Sequence, residues 1–156
     1  KTIEQRFGDD PYAKQVFSKL LQEAIEKAES MFDYKAQFKM FSDLEAKVDD
    51  REVPDLPTDV FNDNKHAQAY YGAFKLVLSD DFPALEAERG EQLIEEAFEI
   101  DRVVKRAVAE NSLNPAGIEQ DVRKNLLPRL FSLIGLDKAK ELLGEIVQIL
   151  RNGARK

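Results

Sequence analysis

"NPAGIEQDVRKNLLPRLFSLIGLDKAKELLGEIVQILR", residues 114–151, decides the fold class. Asn114 followed by Pro115 is a helix start: a side-chain acceptor stands before a proline whose missing N–H costs nothing in the first turn. Ile118, Val122 and Leu126 then recur every fourth residue. Pro128 lacks the donor that would meet the Lys124 carbonyl, so a kink or a break is expected there. Leu130, Phe131, Leu133 and Ile134 lead to Gly135, a residue suited to ending a helix. Asp137 is expected to cap a last helix whose stripe is Ala139, Leu142, Leu143, Ile146, Val147 and Leu150, with Gly153 ending it. The result is a proline-kinked helical hairpin that carries six basic side chains.

The same grammar extends upstream. Asp10 and Pro11 open a helix along which Tyr12, Val16, Leu20, Ala24, Ala28 and Met31 repeat at three to four residues. Tyr34, Phe38, Phe41, Leu44 and Val48 continue that rhythm, either after a break at Asp33 or within one long helix. "REVPDLPTDVFND", from residue 51 to 63, has two prolines and no period, and is expected to be an ordered loop or a linker. Ala67, Tyr70, Tyr71, Phe74, Val77 and Leu78 mark a third helix that stops at "SDDFP". A fourth runs from about Gly90 to Glu110, with Leu93, Ala97, Ile100, Val104 and Val108 on one stripe. Nothing alternates with period two. The expected architecture is therefore all-α, a single domain over residues 1–156 with about six helices.

Composition narrows the function. The 156 residues include no cysteine, which removes disulfides, thiolate nucleophiles and cysteine zinc sites and suits a cytoplasmic location. No apolar run approaches the roughly 20 residues that span a bilayer, so no membrane partner is expected. The chain opens on Lys1 without a signal-peptide pattern, and a piece of a longer protein is expected. Charge is unevenly placed: residues 1–100 carry 12 basic and 23 acidic side chains, whereas residues 101–156 carry 11 and 7. Arg102, Lys105 and Arg106 share a polar helical face, and Arg123, Lys124 and Arg129 extend it if the two helices lie side by side. These six are the candidate contacts for weak binding to double-stranded DNA.

Catalytic patterns are thin. None of the seven glycines opens the phosphate-cradling G-x-x-x-x-G-K-[ST] loop, so ATP hydrolysis by this chain is not expected. "DLEAK", residues 43–47, contains an E-x-K of the kind metal-dependent nucleases use, but on a charged helix it is better explained as a solvated face. Glu95 and Glu99, one turn apart, would be half of a dinuclear carboxylate site. Such sites want Glu-x-x-His pairs, and His66 is the only histidine, so an exposed face bridged to Arg102, Lys105 and Arg106 is preferred. For His66 itself the expectation is a packed or capping role, and for Tyr70, Tyr71 and Phe74 core packing ahead of base stacking.

Three stretches together carry a resemblance: "GIEQDVRKNLLPRLFSLIGLDKAKELLGEIVQILRNGARK", "FSKLLQEAIEKAESMFDYKAQFKMFSDLEAKV" and "NKHAQAYYGAFKLVL". The most telling elements are Arg123–Lys124 followed by Leu126–Leu127–Pro128, and the closing Lys138–Ala139–Lys140 helix leading into Arg151. The chain resembles the C-terminal helical domain of the motor (R) subunit of type I restriction–modification enzymes. That resemblance implies a parent subunit with an endonuclease domain and ATP- and Mg-dependent translocase domains. It implies that this part, with no cofactor of its own, docks the motor onto the methyltransferase and specificity subunits and lies close to DNA. No catalytic residue can be carried over. Leu127, Arg129 and Phe131, which a kink at Pro128 would present, are the candidate partner-binding residues. Two other functions stay open: an independent nucleic-acid-binding module acting through the basic half, and a small enzyme using buried carboxylates.

Overall fold

The computed structural model describes residues 3–61 and 64–154, with side chains as far as Asn152. Among them there are seven α-helices and no strand: α1 (Ile3–Arg6), α2 (Pro11–Glu29), α3 (Tyr34–Asp49), α4 (Lys65–Leu78), α5 (Phe82–Glu110), α6 (Pro115–Ile134) and α7 (Leu136–Ala154). No helix among the described residues is long and apolar enough to cross a membrane.

Side-chain caps place the helix starts. Asp10 accepts from the Ala13 N–H at 3.0 Å, Asn64 from Ala67 at 3.0 Å and Asn114 from Gly117 at 3.2 Å, each satisfying one of the orphan donors of a first turn. Asp33 does the same for Lys35 at 2.9 Å, so residues 12–50 form two helices and not one. Two expectations at the C-terminal hairpin change. The last helix begins at Leu136, with Asp137 inside its first turn, where the carboxylate faces the positive end of the helix dipole instead of capping it. That helix also runs through Gly153 to Ala154.

Pro128 does not break its helix: α6 continues on both sides of it, with the proline exposed. The interrupted helix is α5, where Arg89 adopts φ −136° and ψ 34°, one residue before the Gly90 at which the sequence pattern begins.

Burial identifies α4 as the hub. Ten of its 14 residues are buried, Tyr70, Tyr71 and Phe74 among them, so these aromatics pack and are not presented for stacking. A helix apolar on nearly every side must be enclosed, and α2, α5 and α7 enclose this one, while α6 closes over α5 and α7. The close approach of α2 depends on Gly72: a Cβ there would lie 2.7 Å from the Tyr12 Cβ.

A second, smaller core joins Phe7, Ala13, Phe17, Val48 and Val53, with Phe7 and Phe17 stacked at 5.2 Å. Of the two expectations for residues 51–63, an ordered loop or a linker, the described residues show the ordered one, connecting the two cores. Val53 and Phe61 are buried, Leu56 packs against both clusters, and Arg51 lends its carbonyl to Gln68 at 2.9 Å. Residues 62 and 63 of that segment lie outside the described residues.

Candidate functional site

Helices α5 and α6 pack side by side. Their basic residues fall into two sets. Arg129 on α6 grips Glu96 on α5 through two bonds of 2.8 and 3.0 Å, with the Glu96 side chain 8% exposed and that of Arg129 49% exposed. Such fork-to-carboxylate geometry is the strongest form of neutral-pH ion pair. Lys105 bonds the buried Asp101 at 2.8 Å, and Asp101 also accepts from Asn64 at 2.8 Å. Arg102 pairs with Glu99 one turn earlier, and the hydrogen bonds from Arg102 hold the Glu99 carboxyl below its ordinary range. Three of the six candidate DNA contacts are therefore engaged in ion pairs with α5 acids.

The second set is Arg106, Arg123 and Lys124, which have no hydrogen-bond or ion-pair partner among the described residues. Arg123 and Lys124 stand one turn before Leu127, and Phe131 stands one turn after it, so the four share a side of α6. Leu127 is half-buried against the core, whereas Phe131 is 54% exposed. The arrangement is an apolar anchor on a helix that also carries two exposed cations.

The six basic side chains of residues 114–151 can now be sorted. Arg129 ties α6 to α5, Arg151 ties α7 to Glu119 of α6 by bonds of 3.0 and 2.8 Å, and Lys138 caps the Val77 carbonyl of α4 at 3.1 Å. The bonds from Arg151 lower the Glu119 pKa. Half of the positive charge is internal fastening; Arg123, Lys124 and Lys140 remain outward-facing.

The remaining chemistry-bearing residues have local roles. Glu45 and Lys47 are exposed on α3, and Asp43 bonds Lys39 at 2.9 Å, as a solvated face would. Glu95 is exposed. His66 is half-buried in the first turn of α4 and lines a groove of about 300 Å³ with Tyr70, Val104, Val108 and Leu150; the cap at that end is Asn64. Asp10 has one carboxylate oxygen without a partner, and burial raises its pKa from 3.8 to about 6. Among the described residues no group of three or more histidines and acids is placed to hold a metal ion.

One surface escaped the sequence. Phe32, Tyr34 and Phe38, at the turn between α2 and α3, are 98%, 84% and 75% exposed. Tyr34 and Phe38 fit the apolar period of α3; only the folded chain reveals that no helix among the described residues covers them. No family model matches the chain, and neither a curated protein nor a solved structure matches it.

Proposed function

We propose that the chain is a non-catalytic assembly module, acting in the cytoplasm as the C-terminal helical part of a type I motor subunit would: it seats the motor on the methyltransferase and specificity subunits. The observation that carries this is Phe131, a large aromatic standing in solvent on a helix that Arg129 and Glu96 hold fixed, with Arg123 and Lys124 at its rim. Aromatic anchors on pre-ordered elements supply most of the binding free energy in protein interfaces, because little side-chain freedom is lost on docking. Leu127, one turn away, packs against the core. Arg129 supports the anchor as a strut through Glu96.

The test is to delete this domain from the full motor subunit and to make Phe131→Glu in the intact one. Both should retain basal nucleotide hydrolysis and fail to co-purify with the methyltransferase–specificity core. Full-strength assembly without the domain would overturn the proposal.

A second function, contact with duplex DNA, is favoured by Arg106, Arg123 and Lys124, which are exposed and outside the close ion pairs. Three phosphate contacts would give a salt slope of about −2.7, sequence-independent binding and low affinity.

A further inference from the structure

The groove of about 300 Å³ beside His66 has aliphatic walls, Val104 and Val108 from α5 and Ile149 and Leu150 from α7. Two oxygens of buried residues interrupt them. Tyr70 of α4 is 2% exposed, and its hydroxyl makes no hydrogen bond among the described residues. Asp101 of α5 is 5% exposed; Asn64 and Lys105 both donate to its Oδ2, at 2.8 Å each, and its Oδ1 accepts nothing among the described residues. Neither oxygen is sealed in, because the one enclosed side-chain polar atom without a partner among the described residues is Asp10 Oδ2. Tyr70 and Asp101 both line the groove, and polar atoms of such buried residues call for a partner there.

The chemistry of a fitting ligand follows. A carboxylate oxygen can only accept and the tyrosine hydroxyl can accept as well, so the head of the ligand must bring hydrogen-bond donors. Charge narrows it further. Burial first, then the charges of Asp101 and Asp9, push the Tyr70 pKa up, so the groove's inner wall carries negative potential and repels an anionic head. A primary ammonium matches, with three donors for two oxygens. Lys105 opposes it, but Lys105 sits on the other oxygen of Asp101 with its side chain 62% exposed, where solvent weakens the repulsion. The body must be apolar and small: at about 30 Å³ for each water-sized group, the groove holds roughly ten of them.

We propose that this groove binds a small amphipathic amine, its ammonium bridging Asp101 Oδ1 and the Tyr70 hydroxyl and its apolar body lying on Val104, Val108, Ile149 and Leu150. A mostly apolar concavity with a few convergent polar atoms is the usual form of a small-molecule site. Here the polar atoms fix the head, and the aliphatic walls drive water from the body. The site shares no residue with Leu127, Arg129 and Phe131, and so goes beyond the assembly role.

Titration of the isotope-labelled chain with 2-phenylethylamine, followed by NMR at pH 8, tests the proposal; an alkylamine is charged there and an imidazole at its ordinary value is neutral. The backbone amide shifts of Val104, Val108 and Ile149 should saturate with a Kd on the order of 1 mM, as so small a ligand allows. 2-Phenylethanol, which keeps the body and loses the charge, should bind about tenfold more weakly, and 3-phenylpropanoate should not bind. Tyr70→Phe should weaken the amine about fivefold while keeping the wild-type Tm, since the hydroxyl it removes bonds nothing in the fold. No saturation below about 20 mM, the alcohol or the propanoate binding as tightly as the amine, or wild-type affinity in Tyr70→Phe would overturn the site.

Discussion

Replacing Arg129 by methionine should destabilise the fold, because Arg129 fastens α6 to α5. The Glu96 carboxylate is nearly out of solvent and keeps two charge-assisted bonds from the guanidinium, which in turn raise the Arg129 pKa. Removing one member of a fully buried pair costs about 3–5 kcal/mol, and an exposed pair contributes about 0–1 kcal/mol. Here the acid is buried and the base is half-exposed, so solvent screens part of the loss, and about 2 kcal/mol is expected. For a chain of this length that corresponds to a fall in Tm of roughly 4–8 °C. Glu96→Met in the Arg129→Met background removes the stranded carboxylate and should restore at least half of the loss. Urea unfolding of the four proteins of the cycle measures the coupling directly. A single-variant loss below about 0.5 kcal/mol, with no coupling, would refute a structural role for Arg129.

Three further outcomes are expected. Asp10 binds a proton more tightly folded, near 6, than at its ordinary 3.8, so its contribution is fully present below about pH 3.8 and is lost as pH rises through 6. Asp10→Asn, which keeps the cap, should therefore raise stability at pH 7.5 by on the order of 2 kcal/mol and flatten the pH dependence between 4 and 6; an unchanged slope would count against a protonated Asp10. Gly72→Ala forces the new methyl against Tyr12 and should cost about 1–3 kcal/mol in thermal or urea unfolding, despite alanine's better helix propensity; a stabilised variant would mean that α2 moves aside freely. Reversing Arg106, Arg123 and Lys124 to glutamate should abolish low-salt binding to duplex DNA while leaving Tm within a few degrees, whereas equal binding by wild type and variant would assign those charges to solubility.

Local rules made most of the fold legible. Asp10 and Asn114 are acceptors standing just before an apolar period, and each starts a helix where that chemistry says it should; the Asn64 cap was missed, since the capping role at that end was expected of His66. Gly135, at φ 84°, ends α6 in a conformation that favours glycine. The joint at Asp33 was ambiguous because the apolar period continues across it, and the decisive bonds, Asp33 to Lys35 and Gln37 back to Ala28, are side-chain choices that periodicity does not encode. Pro128 misled in emphasis: one missing donor on the exposed side of a helix is tolerable when Leu126 and Leu130 on the other side are buried. The candidate site was half legible. Basic residues at helical spacing were visible, but their engagement was not, since Arg129 meets Glu96 and Arg151 meets Glu119 across more than thirty residues of chain. The exposed aromatics of the hairpin were hidden for the opposite reason. Periodicity says which residues share a face, and only the packed chain says whether anything lies against it.

Sedimentation velocity of this chain mixed with a type I methyltransferase–specificity core bears most directly on the proposed assembly role. The wild-type chain should co-sediment with the core, and Phe131→Glu should sediment separately while retaining the wild-type Tm. Separate sedimentation of the wild-type chain at tens of micromolar, with the core intact, would contradict it.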